Sequence, residues 1–239
     1  MKNLLYILVL CLISIQPIRA HAQDDNETYD PFFDYDEQDG AASEEADTNF
    51  FKNGRFLTMG LLIGQRSFTQ GMSHLYENNV CVGGYLSYFF DLRFALQFGF
   101  TSGSHNMVIR SPVDTYTGGI KMNAFSMDLK YYMNTQNVTK GLAALNPYVL
   151  GGFTSISRET MVKNQSEFGK DTATAFDIGA GIEFPLMQKS MYFGVQGLYQ
   201  IVNFRDEGSE IILANGTDKT GLYPNGDILT IMGIIGINF

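Results

Sequence analysis

From Leu229 to Phe239 every second residue is apolar or Gly: Leu229, Ile231, Gly233, Ile235, Ile237 and Phe239. A period of two is that of a β-strand whose two faces meet different surroundings. The same period recurs upstream. Phe94, Leu96, Phe98 and Phe100 alternate with Ala95, Gln97, Gly99 and Thr101, and Phe125, Met127, Leu129 and Tyr131 with Ala124, Ser126, Asp128, Lys130 and Tyr132. Phe176, Ile178, Ala180, Ile182 and Phe184 oppose Ala175, Asp177, Gly179, Gly181 and Glu183. Segments 57–66, 81–90 and 192–201 repeat the pattern, while 147–156 is so rich in Gly that its facing is ambiguous. With polar, Gly-rich breaks between them, these segments predict eight strands and an all-β chain.

Chemistry decides which face turns outward. One face is almost wholly apolar; the other carries Arg66, Gln97, Asp128, Lys130, Asp177, Glu183, Gln196 and Gln200 among glycines. A Lys or Arg facing the middle of a bilayer costs about 2–4 kcal/mol, so the charged face must point into a closed cylinder. A soluble eight-stranded barrel of the lipocalin kind has the opposite polarity, apolar within and polar without. The expected fold is therefore an eight-stranded antiparallel up-and-down transmembrane β-barrel over residues 55–239. Breaks at 90–93 and 185–190 are short, whereas 69–79, 103–119, 158–171 and 205–227 are long, the alternation of turns and loops that such a barrel requires. The 134–146 connection is too long for this scheme. Aromatic residues flank the breaks, Phe90, Phe94, Tyr131, Tyr148, Phe184, Phe193 and Phe239 at one end and Phe68, Phe100, Phe125, Phe176 and Phe204 at the other, which predicts two interfacial girdles.

The first 22 residues have one early cation, Lys2, an apolar stretch over 4–15 and Ala20-His21-Ala22 before Gln23, the marks of a cleavable secretory signal. Twelve apolar residues fall short of the ~20 needed to span a bilayer as a helix. Cys11 lies within that stretch, which leaves Cys81 as the only mature cysteine and excludes an internal disulfide. Charge then divides the mature chain. Of 25 acidic residues eleven fall within 23–48 (Asp24, Asp25, Glu27, Asp30, Asp34, Asp36, Glu37, Asp39, Glu44, Glu45 and Asp47), where there is no Lys or Arg; the remainder is formally neutral. Residues 23–54 read as an acidic disordered arm, too poor in aliphatic groups to offset the entropy of ordering.

Gly179-Ala-Gly-Ile-Glu-Phe184, Met127-Asp-Leu-Lys-Tyr-Tyr132, Asn146-Pro-Tyr148 and Ile235-Gly-Ile-Asn-Phe239 resemble the strands of small outer-membrane barrels of the OmpA/OmpX-like superfamily. The resemblance covers residues from about 55 to 239. It implies a Gram-negative outer membrane with the arm in the periplasm, and contact with outer-membrane lipids including lipopolysaccharide. It also implies that Ile235, Ile237 and Phe239 are read as an assembly signal by the barrel-assembly machinery. The superfamily includes anchors, adhesins, complement-resistance proteins and a few lipid-modifying enzymes. Its peptidoglycan-binding members add a soluble domain after the barrel, which is not expected here.

Candidate chemistry is sparse. His74 and His105 lie in expected loops beside Ser73 and Ser104, with Glu77 nearby, but the His-Ser-Asn order that the resemblance would require for a lipid A deacylase is missing, since Ser104-His105-Asn106 runs otherwise. No catalytic residue, cofactor or metal ligand is assigned. Asp34, Asp36 and Glu45 fall at positions 1, 3 and 12 of a calcium-loop template, yet Asp39 replaces its turn Gly. Arg66, Asp128, Lys130, Asp177 and Glu183 could line an ion path or pair across a filled interior; eight strands enclose space for little more than side chains, which favours pairing. Tyr29, Phe32, Phe33 and Tyr35, interleaved with carboxylates, are candidates for docking a periplasmic protein. No basic patch supports nucleic-acid binding. The expected role is structural or partner-binding, with a lipid-modifying enzyme or a narrow passive pore as alternatives.

Overall fold

Eight strands close on themselves in a computed structural model that describes residues 56–91, 93–110, 115–133, 145–162, 170–186, 190–213 and 218–239. The barrel strands are β1 (Leu57–Phe68), β2 (Asn79–Phe89), β3 (Phe94–Arg110), β4 (Thr115–Tyr132), β5 (Asn146–Val162), β6 (Lys170–Leu186), β7 (Met191–Val202) and β10 (Ile228–Asn238). One helical turn, α1 (Met72–Leu75), follows β1, and a two-stranded ribbon, β8 (Ile212–Leu213) with β9 (Asp218–Lys219), lies between β7 and β10. Each barrel strand pairs antiparallel with its neighbours, and β1 meets β10 in a register running from Thr58 opposite Asn238 to Phe68 opposite Ile228. Closure leaves no strand edge in lipid, where an unpaired backbone amide would find no partner. The signal at 1–22, the arm at 23–54 with Tyr29, Phe32, Phe33 and Tyr35, and most of the 134–146 connection lie outside the described residues.

The alternation read from sequence is the alternation of burial. On β1, Thr58, Leu62 and Arg66 are buried while Leu61 is 71% and Ile63 61% exposed; on β10, Thr230, Met232 and Ile234 are buried while Ile231 is 57% and Ile235 53% exposed. A coat of Leu, Ile, Val and Phe is unfavourable in water and suits hydrocarbon.

Glycines let large interior side chains fit. In the row where the sheet closes, Tyr192, Gly236, Gly60 and Tyr85 are successive partners across β7, β10, β1 and β2. The tyrosine rings lie over the bare glycines, where a Cβ would strike them, and the two hydroxyls meet in a hydrogen bond. Tyr148 covers Gly181 in the same way.

The structure departs from the sequence reading at the long-loop end. Within the stretches 103–119 and 158–171 the described residues are strand: β3 runs to Arg110 and β4 begins at Thr115, and β5 runs to Val162 and β6 begins at Lys170. Past the apolar belt the outer face of these hairpins turns polar while the inner face carries Met107, Ile109, Ile120, Met122 and Ile156, so the pattern no longer reads as that of a strand in lipid. On β5 the ambiguity is settled with Tyr148, Leu150, Thr154 and Ile156 inside and Val149 and Phe153 outside. Three aromatics placed in the girdles turn inward instead: Tyr148 is 1%, Phe204 2% and Phe68 7% exposed. Phe100, Phe125, Phe176, Phe184, Phe193 and Phe239 do face outward.

Candidate functional site: a filled shaft and a tethered cap

Two apolar clusters plug the interior. The one nearer the short turns combines Leu62, Tyr85, Phe89, Tyr132, Tyr148, Tyr192 and Ile234. The other fills the loop end with Phe68, Met72, Leu75, Tyr76, Met107, Ile109, Ile120, Met122, Ile156 and Phe204, so that α1 and the segment after β7 fold into the mouth. All five charged residues read as facing inward are buried in this interior, at 0–1% exposure. Lys130 Nζ lies 3.5 Å from Glu183 Oε1 and 4.2 Å from the centre of the Tyr148 ring, and Tyr132 Oη donates to the same Glu183 oxygen at 3.0 Å. Arg66 donates to Thr101 Oγ1 at 2.9 Å and to the Met122 carbonyl at 3.3 Å. Asp177 accepts from Thr154 Oγ1 and, at 3.1 Å, from Gln200 Nε2.

The loop end has an ionic tether that sequence reasoning left inside a loop. Arg158, on the extended part of β5, is 2% exposed; its Nε donates to Asp171 Oδ1 at 2.5 Å, a second nitrogen donates to Asp206 beyond β7, and its guanidinium stacks on Phe204 at 4.1 Å. One side chain thus ties β5, β6 and the segment after β7 together through charge-assisted bonds. Only the resumption of alternation at Ile156, Arg158 and Thr160 hinted at it, and with Ser155, Ser157 and Glu159 between them that alternation carries little contrast. Tyr76 is buried beside Arg158, and burial pushes its hydroxyl up to about 12 against the pull of the guanidinium.

On the outer surface of this cap is a cleft of about 670 Å³, lined by residues that include His74, Asn203, Arg205, Glu207, Tyr223 and Asn225. Its size lies within the range of small-molecule sites, though it is open rather than enclosed. The Ser-His-acid candidates do not assemble around it. His74 lines the cleft, but the Ser73 hydroxyl donates to the Gln70 carbonyl at 2.6 Å. His105 is on β3, not in a loop, and is buried: its Nδ1 lies 3.1 Å from the Glu77 carbonyl and its ring packs against Phe68. Ser104 precedes it on the strand and is exposed on the opposite face, and the Glu77 carboxylate takes a bond from Asn106 Nδ2 at 2.9 Å. Among the described residues no three His, Cys, Asp or Glu side chains converge as they would around a metal ion.

The model of the outer membrane protein β-barrel domain matches residues 40–228. The chain belongs to this family. It is a protein of the Gram-negative outer membrane, and its coat of exposed aliphatic and aromatic side chains is the lipid-facing surface. Solved structures of small outer-membrane barrels are similar to it. OprG of Pseudomonas aeruginosa superposes with a TM-score of 0.52 at 12% identity, over 77% of this chain and 95% of that one. Neisserial surface protein A gives 0.48 at 10% identity over 77% and 97%, and the N-terminal barrel of Pseudomonas aeruginosa OprF 0.44 at 18% over 77% and 98%. At these identities the likeness is one of architecture. No curated protein matches the chain in sequence.

Proposed function

We propose that this outer-membrane barrel is a non-enzymatic, partner-binding protein that displays a tethered cap outside the cell and trails its acidic arm, residues 23–54, in the periplasm. The observation that carries the reading is the cleft of about 670 Å³ on a cap held down by Arg158. A site kept in shape by a partly buried ion pair suits recognition, because little ordering remains to be done on binding. The short turns and both barrel ends lie together, which in this class of barrel is the periplasmic side and supports this orientation. On the outer surface, aromatic residues at the upper rim give way to Lys121, suited to lipopolysaccharide phosphates, and to Lys170, paired with Glu159 at 3.2 Å, while Ile235, Ile237 and Phe239 would serve the assembly machinery. Tyr29, Phe32, Phe33 and Tyr35 would engage a periplasmic protein.

A photocrosslinking residue at position 223 tests the cap in living cells. Adducts that persist after Lys121→Ala but vanish after Arg158→Met support recognition by the cleft; a clean position 223 beside a labelled position 121 counts against it. The alternatives have their own readouts. The filled interior predicts no sustained conductance in planar bilayers, against a pore. An unchanged lipid A mass spectrum after joint substitution of His74 and His105, in a strain where the wild-type protein alters lipid A, would dismiss the enzyme.

A further inference from the structure

Between the two apolar plugs the interior holds a small polar chamber with an unbalanced charge. Along one row of the sheet Gln97, Asp128, Gly152, Asp177 and Gln200 are successive partners across β3 to β7. Gly152 separates the two aspartates by a strand and places nothing between them, and a Cβ there would strike Asp128 and the Met127 carbonyl. Asp177 has hydrogen-bond donors on both oxygens, from Thr154 and Gln200. Asp128 does not. It is 1% exposed, and neither of its oxygens meets a donor in full bonding geometry, although the Ser126 hydroxyl and the Asp177 carboxyl lie close enough to interact with it and Lys130 stands within electrostatic reach. Thr230 Oγ1, in a residue 2% exposed, is likewise without a partner. Both line one cavity of about 20 Å³, together with Gln97, Ser126, Thr154 and Gln200.

We infer that this chamber binds one small monovalent hard cation, of the size of Na⁺, on the Asp128 carboxylate and the Thr230 hydroxyl. Three observations converge. The space holds one water-sized particle. The unsatisfied atoms that face it are oxygens, the donors that hard cations take. The charged groups of the shaft are three carboxylates, Asp128, Asp177 and Glu183, against two cations, Arg66 and Lys130. Lys130 is engaged with Glu183 and Tyr148, and Arg66 with Thr101 and Met122. With all five ionised, one negative charge is left over in a poorly solvated interior. A water molecule would answer the oxygens but leave that charge; a divalent ion would overshoot it.

The test uses the full chain folded in detergent micelles, with Na⁺, K⁺ or choline as the sole monovalent cation at one chloride concentration. An ion that binds only the folded barrel raises the heat-unfolding midpoint, here by roughly 3–6 °C in Na⁺ relative to choline at about tenfold excess over its Kd. Asp128→Asn should erase the difference and Glu207→Gln, on the cap, should preserve it. Should Asp128→Asn fail to fold, Thr230→Val, which removes one uncharged oxygen at constant volume, should at least halve the Na⁺ effect. ²³Na relaxation should be faster with wild-type protein than with either shaft variant. Equal midpoints in all three cations, or a Na⁺ effect that survives both substitutions, would overturn the assignment. So would a midpoint indifferent to the cation but raised by acidification, which would put a shared proton there instead.

Discussion

The barrel shaft and its extension beyond the lipid are built from the same strands with opposite polarity. Around the shaft, Leu61, Ile63, Met127, Phe153 and Ile178 face out while Asp128, Lys130, Asp177 and Glu183 face in. A few residues further along β3, β4 and β5 the arrangement inverts: Met107, Ile109, Ile120, Met122 and Ile156 are buried, and Ser104, Asn106, Lys121, Ser157 and Glu159 are exposed. The shaft is a membrane protein and the cap a soluble β-structure continuous with it. The difference teaches that solvent, not strand geometry, sets which face is oily, so one substitution should have unequal consequences at the two heights.

The largest effect belongs to the shaft's buried ion pair. Lys130→Met leaves Glu183 with the Tyr132 hydroxyl but without a cation, and removing one partner of a buried pair costs about 3–5 kcal/mol. Denaturant unfolding of the folded barrel should show this loss, and the double variant Lys130→Met, Glu183→Leu should recover most of it. A single variant as stable as wild type would mean that water reaches the pair. Next comes a direct break in the comparison. Leu61→Arg, 71% exposed on the lipid face, should cost roughly 2–4 kcal/mol on folding into vesicles, whereas Ser157→Arg on the extension should change stability by less than about 0.5 kcal/mol. Similar costs at both sites would show that the extension also lies in lipid.

That inversion explains how far the sequence could be read. In the shaft, alternation between hydrocarbon and a polar lumen is a contrast of several kcal/mol per residue, and it located the centres of eight strands and the inward facing of Arg66, Asp128, Lys130, Asp177 and Glu183. Past the belt the outside is Ser, Thr and Asn and the inside small or apolar, a contrast that loops also show, and the ends of β3 to β6 went unrecognised. Tyr148 failed for another reason: an aromatic beside Gly151 and Gly152 fits a girdle and a lumen equally until Gly181 on the next strand shows where the ring has room. The tether between Arg158, Asp171 and Asp206 joins positions 13 and 48 residues apart, a proximity that no local pattern encodes.

The cap should accordingly be separable from the shaft. Asp206→Asn keeps a neutral acceptor for Arg158, and because the Asp206 side chain is 29% exposed its charge is partly screened, so the expected loss is about 1 kcal/mol or less. It should appear locally, as faster amide exchange in 203–213 and 218–227, with the heat-unfolding midpoint of the barrel unchanged. A global loss would make the tether part of the shaft's stability.

The smallest effect is absent at neutral pH and shows itself only in alkali. Burial raises the Tyr76 hydroxyl from an ordinary value near 10 to about 12, the nearby Asp206 and Asp171 carboxylates adding to the rise and Arg158 opposing it. A group whose proton is held more tightly in the folded state contributes its full stabilisation below pH 10 and loses it as pH climbs from 10 through 12. Between those values the cap should loosen more steeply in the wild type than in Tyr76→Phe, and the difference in phenolate absorbance between the two proteins should titrate near 12. A difference titrating near 10 would show Tyr76 in contact with water, and hence a cap that does not seal the mouth.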